Sequence, residues 1–270
     1  MRLLKAVLAV NTAKYPTVLT EAQWNIISRL LPKRAKTGRR PIDRRLILNA
    51  ILYITKTGAQ WRMLPNDFPN FKTVFHVFRD WNRIGLLEKI NKSLREQLRV
   101  KCGKNANPSA AILDSQSVKS DCHGGQSGYD AGKKIKGRKR HLLVDTLGLL
   151  LGIDVTEADF PEREGGYWLI ERLRTGLANL RKIWADNGYS GTDFSNRIQE
   201  VLSPVDVETV IRGNGVKGFK LLPHRWIVER TFAWLMRSRR LCRDYETTTL
   251  SAEAFVLLSM IHLQLRRLTK

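Results

Sequence analysis

Two aspartates and a glutamate are the residues of this chain best placed to do chemistry. Asp114 ends the apolar run Ala110-Ala-Ile-Leu, and Asp186 ends Lys182-Ile-Trp-Ala. Both runs read as short strands, and an open sheet presents its site at strand ends, so both carboxylates are expected in one crevice. Glu229 lies in Arg225-Trp-Ile-Val-Glu-Arg-Thr-Phe-Ala-Trp234, a helical stretch that is mostly apolar except at its charged positions. Arg225 shares a helix face with Glu229, where a guanidinium can hold a phosphate beside a metal-bound carboxylate. Hard oxygen donors from two strands and a helix suit Mg2+ or Mn2+, which take a few carboxylates and fill the remaining positions with water and substrate phosphate. Two such ions support in-line displacement at phosphorus, one lowering the pKa of the attacking group and one stabilising the leaving oxygen. Each acid also has a plainer reading. Asp114-Ser-Gln-Ser can cap a turn, Asp186-Asn-Gly188 is a turn signal, and Glu229 can simply pair with Arg225. Spacing alone leaves both readings open.

These acids need a sheet and a helix to hold them, and the pattern supplies both. His141 to Val155 reads as two strands joined near Thr146-Leu-Gly148. Tyr167 to Leu180 has helical spacing, Val207 to Ile211 reads as a further strand, and helices are expected from about His224 to Arg240 and Ser251 to Leu268. This is an α/β (α+β) sheet domain, expected over 105–270. Before it, residues 1–104 read as helices. Thr20 and Gln23 form a capping box, with Leu19 and Trp24 as a hydrophobic staple and Pro32 ending that helix. A second helix is expected from about Asp43 to Thr57 with Gly58 behind it, and a third from near Thr73. In the third, Val74, Val77, Phe78 and Trp81 share one face and His76, Arg79 and Arg83 another. The second face either meets a DNA groove, as in a helix-turn-helix relative, or is simply solvated.

Charge favours the groove. The 270 residues carry 47 Lys and Arg against 25 Asp and Glu, a net +22. Residues 1–104 hold 22 of the basic and 6 of the acidic residues, so the helical part alone has a net +16. Such an excess destabilises a compact state unless a polyanion neutralises it. Arg39 and Arg40, in Gly38-Arg-Arg-Pro41, are placed to reach phosphates or a minor groove. Three scattered cysteines fit a reduced cytoplasmic setting, and Cys122-His123 beside Asp121 reads as an exposed loop. Lys5 breaks the N-terminal apolar stretch, against export, and the run Ala254 to Leu265 is too short to span a bilayer.

Longer motifs are specific. Leu19-Thr-Glu-Ala-Gln-Trp24, Thr57-Gly-Ala-Gln-Trp-Arg-Met-Leu-Pro65, Leu113-Asp-Ser-Gln-Ser-Val-Lys119, Lys136-Gly-Arg-Lys-Arg-His-Leu-Leu-Val-Asp-Thr-Leu-Gly-Leu149, Ala185-Asp-Asn-Gly-Tyr189 and Arg225 to Leu235 together resemble the DDE transposases of bacterial insertion sequences, of the group numbered four and five. The resemblance covers nearly the whole chain and places the family's metal-binding acids on Asp114, Asp186 and Glu229. It implies a ribonuclease H-like catalytic domain behind an all-helical DNA-binding domain that recognises terminal inverted repeats. It also implies two Mg2+ ions, strand cleavage followed by strand transfer, and a homodimer or higher oligomer on double-stranded DNA. The expected place is the cytoplasm, associated with the nucleoid.

The chain departs from the family at two positions of its helix signature. Leu222 stands where the family has Tyr and Met236 where it has Lys, with Arg237 one position later. A chain that keeps DNA binding and has lost chemistry, acting as a regulator, is the competing reading. The cluster Lys133-Lys-Ile-Lys-Gly-Arg-Lys-Arg140, just before the strand expected to start at His141, offers Lys136, Arg138, Lys139 and Arg140 as a clamp on the DNA backbone. Arg237 can track phosphates too. His141 and Asp145 read as structural.

Overall fold

Helices come first in the computed structural model, which describes residues 15–32, 42–121, 125–209 and 224–270. Thr20 starts α1 (Glu21–Ile27) through the expected capping box, with its hydroxyl accepting from Gln23 N and the Gln23 side chain accepting from Thr20 N. Asp43 caps α2 (Arg44–Thr57), which ends at Gly58 with φ 74°, the left-handed region that favours glycine. Asn70 caps α3 (Phe71–Arg83), starting it two residues earlier than expected. Val74, Phe78 and Trp81 form its buried face, and His76, Arg79 and Arg83 are exposed. α4 (Leu86–Lys101) completes this part and buries Leu87, Ile90, Leu94 and Leu98.

A mixed sheet follows. β1 (Ala110–Lys119), β2 (Gly128–Asp130), β3 (Ile135–Asp145) and β4 (Leu150–Glu157) come in order, and β3 pairs antiparallel with each of the others. α5 (Glu162–Leu173) leads to β5 (Lys182–Ala185), and α6 (Thr192–Val201) to β6 (Asp206–Thr209). β5 runs parallel to β1 and β6 parallel to β5, the direction that a helical crossover imposes. The central order is thus β3-β1-β5-β6, with β2 and β4 on the outer side of β3. This is the ribonuclease H-like mixed α/β architecture that was expected. α7 (Arg225–Met236) packs on β1, and α8 (Thr249–Leu268) is the last helix. The sequence pattern pointed to neither β2 nor α6.

The sheet buries both faces. Ala111, Leu113, Leu143 and Ile183 pack with α5 and α6 through Leu169, Ile170, Phe194 and Ile198. On the other face Ile112, Leu142, Val144 and Ile153 join a cluster with α7, α8 and the N-terminal helices. α8 runs through the middle of that cluster, buried from Ala252 to Ile261 and packed on α4, β4 and α2. The division expected at residue 104 is therefore a change from helices to strands within one shared core. Cys102 and Cys242 are exposed free thiols. Arg39, Arg40, Cys122, His123, Leu222 and the N-terminal stretch around Lys5 lie outside the described residues.

The basic cluster does not sit where it was expected. β3 begins at Ile135 rather than His141, which draws Lys136, Arg138, Lys139 and Arg140 into the sheet and buries the last three. Arg138 and Arg140 are each 1% exposed. Arg138 donates to the carbonyls of Gln126, Glu246 and Thr247 and lies 3.4 Å from Asp244. Arg140 donates to the Leu241 carbonyl, and the Lys139 ammonium to that of Phe160. A buried cation demands such partners. These three residues are thus occupied in holding the 241–247 segment and the turn before α5 to the sheet, and are not a clamp on DNA. Lys133, Lys134 and Lys136 remain exposed.

His141 and Asp145 are structural, as read. His141 pairs with Thr156 Oγ1 and rests against Gly165, where an added Cβ would come within 2.3 Å of its ring. Asp145 accepts from Arg99 at 2.5 Å and from the backbone of Leu147 and Leu149, tying α4 to the β3–β4 turn. Removing one partner of a buried pair leaves the other charge uncompensated. Asp145→Ala is expected to cost about 3–5 kcal/mol of stability, read by urea unfolding.

Candidate active site

The acids are brought together by strand register. Leu113 pairs with Ala185 across the parallel β1–β5 ladder. The next residue in β1 is Asp114 and the first residue after β5 is Asp186, so the two carboxylates stand near one another at the same end. Alternation directs both toward the sheet face of Ile112 and Trp184, which is the face that α7 covers. His224, at the start of α7, stacks on Trp184 with ring centroids 3.9 Å apart. That contact fixes the end of α7 that carries Arg225 and Glu229. Asp114 continues as a β1 residue, and its Oδ1 accepts from Ser115 N at 2.7 Å. Asp186 caps the turn after β5 by accepting from Gly188 N at 2.9 Å.

Glu229 stands apart from this pair. It is 55% exposed and sits 3.4 Å from the Arg225 guanidinium, one helical turn away. Among the described residues, no three His, Cys, Asp or Glu side chains are gathered closely enough to hold a metal ion. The structure therefore joins two of the expected acids and keeps the third on the neighbouring helix, paired as its plainer reading had it.

The pair is short of positive charge. Burial first, and then the charge of Asp186, push the Asp114 carboxyl up to about 7, against a smaller opposing effect of Arg225 and Lys133. Tyr189 adds a second sign. It is fully buried, its hydroxyl has no well-formed hydrogen bond, and burial together with the charges of Asp114, Glu162 and Asp186 holds its proton on. A buried carboxylate pair short of positive charge suits a hard divalent cation. Asp114 and Asp186 are placed to hold one, and Glu229 lies on the helix that packs over them.

Sequence reasoning missed Glu162, the first residue of α5. Its Oε1 accepts from Ser115 Oγ and from Lys133 Nζ, each at 2.9 Å. Burial opposes its ionisation, but the Lys133 contact outweighs this and keeps Glu162 below the usual carboxylate range. An added Cβ at Gly188 would fall 2.4 Å from Glu162 Oε2 and 3.0 Å from Asp186 Oδ1. Glycine in Asp186-Asn-Gly188 is thus needed for two carboxylates to approach. The only sequence signal for Glu162 was an acid in the first turn of a helix, which ordinarily means dipole complementation. Lys133 shows that the exposed end of the basic cluster does reach the acids.

With this geometry in place, comparison with known proteins decides the family. A family model described as "Transposase DDE domain" matches residues 105–264, more than half of the chain. The chain belongs to the DDE transposase family. A second model, "Putative transposase of IS4/5 family", matches residues 19–91, which makes the chain a DDE transposase of the IS4/5 type. Among curated proteins, "Insertion element IS402 uncharacterized 16.2 kDa protein" of Burkholderia cepacia is 31% identical over 109 residues, covering 38% of this chain and 73% of that protein. "Putative transposase for insertion sequence element IS402", from the same organism, is 31% identical over 118 residues, and the match spans about half of its length, 54%. A solved pre-cleavage Mos1 transpososome aligns over 98% of this chain at 9% identity, with a TM-score of 0.24.

The raised Asp114 gives a signed prediction. A carboxyl whose folded pKa rises from 3.8 to about 7 binds its proton more tightly when folded. Its contribution is present below about pH 4 and lost as pH rises through 7. Millimolar Mg2+ should therefore raise the thermal midpoint of the wild type at pH 8 by roughly 3–6 °C. Asp114→Asn should melt higher than the wild type without metal and gain nothing from Mg2+.

Proposed function

We propose that this transposase binds the terminal inverted repeats of an insertion sequence, as a dimer or larger assembly, and catalyses metal-dependent strand cleavage and strand transfer. The observation that carries this reading is the pairing of Asp114 and Asp186 at adjoining parallel strand ends beneath the helix bearing Arg225 and Glu229. Asp114, Asp186 and Glu229 would hold Mg2+ or Mn2+, two ions in all, which when bound supply Lewis-acid charge at the scissile phosphate. The remaining work falls to the chain. Among the described residues Arg225 has a buried Nε with no hydrogen-bond partner and a long 3.4 Å contact to Glu229, which leaves its guanidinium able to steady a phosphate. Lys133 holds Glu162 in place beside Ser115, which positions the backbone amide that Asp114 accepts from.

DNA selection is assigned to the helical part. His76, Arg79 and Arg83 line the exposed face of α3, and the ion pair of Arg83 with Asp80, at 3.8 Å between largely exposed groups, is too weak to hold it from a phosphate. Arg39, Arg40, Lys136 and Arg237 complete the proposed contacts. Among the described residues no helix is long and apolar enough to cross a membrane, and we place the protein with the bacterial nucleoid in the cytoplasm. One observation supports the regulator reading. Met236 stands 38% exposed where the family has a lysine, so the cation nearest that place is Arg237.

The two readings part on chemistry. Purified protein incubated with the end DNA of its own element and Mg2+ should cut at the element end and join the 3′-hydroxyl to a target. Asp114→Asn should reduce cutting by at least about a thousandfold while keeping its affinity for the end, since it removes an interaction of the reacting state alone. Equal binding and no cutting by both proteins would select the regulator.

A further inference from the structure

A second charged site lies at the far end of α7. The C-terminal ends of α2, α7 and α8 converge there on a cavity of about 290 Å³, lined by Lys56, Arg237, His262, Arg266, Arg267 and Lys270, with no carboxylate side chain among its lining residues. Cations gather at helix C-termini to complement the dipole, which is the ordinary explanation. That role is already filled. The Lys56 ammonium donates to the Arg237 carbonyl at the end of α7, and Lys101 donates to the carbonyls of Arg267 and Leu268 at the end of α8. Arg237 and Arg266 have no ion pair or side-chain hydrogen bond among the described residues, and line the cavity together with Lys56. Burial and the two arginines push the Lys56 ammonium down, and burial with Arg266 and Lys56 brings His262 to about 4. Like charges held together at this cost call for an anion.

A ladder runs from this cavity toward the end of α7 that carries Arg225. Along α7 the Arg230 guanidinium lies between Trp226 and Trp234, at 4.6 and 4.7 Å from their ring centroids, and Arg267 covers Trp234 at 4.1 Å. Alternating indoles and guanidiniums thus run from the Arg225 end of the helix to the cavity. Trp226 is 40% exposed, so the ladder begins at the surface. Eight residues separate Glu229 from Arg237, about 12 Å at 1.5 Å per residue. That is between three and four base-pair steps of duplex DNA at about 3.4 Å each.

We propose that this cavity is a phosphate-binding site for the DNA backbone, three to four base-pair steps along α7 from Glu229, with α7 as the track toward the point of cleavage. The proposal rests on the reading of Asp114 and Asp186 as the place where DNA is cut. It gives Arg237 and Arg266, which have no ion pair or side-chain hydrogen bond among the described residues, a common ligand.

The double variant Arg237→Gln/Arg266→Gln tests it on duplex DNA of unrelated sequence, with affinity measured across a salt series. Loss of two phosphate contacts should flatten the slope of log affinity against log salt by about 1.8 and weaken binding at 0.1 M salt by tenfold or more. Arg266→Lys should keep the wild-type slope. Without DNA, the double variant should melt at or above the wild-type midpoint, because it removes repulsion. Should it fail to fold, Arg266→Gln alone carries the same test at half the change in slope. An unaltered slope and affinity would overturn the site and leave cleavage by the wild type standing. A flattened slope in a protein whose wild type cuts no element end would uphold the phosphate contacts but overturn both the cleavage reading and the place given to the site on the way to the point of cutting.

Discussion

Everything at the candidate active site depends on β1 and β5 running parallel in one register. Parallel neighbours place equivalent residues at the same end, so a pairing of Leu113 with Ala185 brings Asp114 beside Asp186, which the turn after β5 then holds through Gly188 N. Parallel pairing cannot be made by a tight turn. It requires the crossover through α5, and α5 in turn delivers Glu162 to Ser115 at 2.9 Å. The other neighbour of β1 is β3, antiparallel over nine residue pairs from Ala111–Asp145 to Lys119–Gly137, which fixes the strand against sliding. A shift of one residue in β1 would send Asp114 to the opposite face of the sheet.

That rigid frame carries a charge arrangement in which the excess is positive and the deficit local. The chain has a net +22, yet among the described residues Asp114 is opposed by the charges of Arg225 and Lys133, and Glu162 by those of Lys133 and Lys139. Burial makes the shortage costly, as the raised Asp114 shows. At the other end of α7 the imbalance is reversed, with cations and no carboxylate side chain around one cavity. One helix thus joins a site in need of cations to a site in need of anions. A nucleic-acid backbone bound with divalent metal satisfies both at once.

How much of this could be read from the chain depends on whether the cause was local. The capping box of Thr20 and Gln23, the Gly58 terminator and the exposed stripe of His76, Arg79 and Arg83 each rest on neighbours within a few residues, and each was legible. Asp114 and Asp186 were legible because strand ends are a general place for a site. Arg138 and Arg140 were misread because their partners lie about a hundred residues later, at Leu241, Asp244 and Glu246. A basic run looks solvated until something buries it, and here the 241–247 segment does. Shorter but still non-local separations, 47 and 29 residues, hid Glu162, whose partners are Ser115 and Lys133. The division at residue 104 marked a real change of pattern, but α8 closes over both parts and makes their core continuous.

The central claim is that Asp114 and Asp186 together form the seat of a divalent cation. Crystals of the protein bound to duplex DNA, soaked with Mn2+ and measured at the manganese edge, test it most directly. The account predicts an anomalous peak bound by both Asp114 and Asp186, absent in crystals of Asp114→Asn. Manganese bound elsewhere on the chain, with none between these two carboxylates, would contradict it.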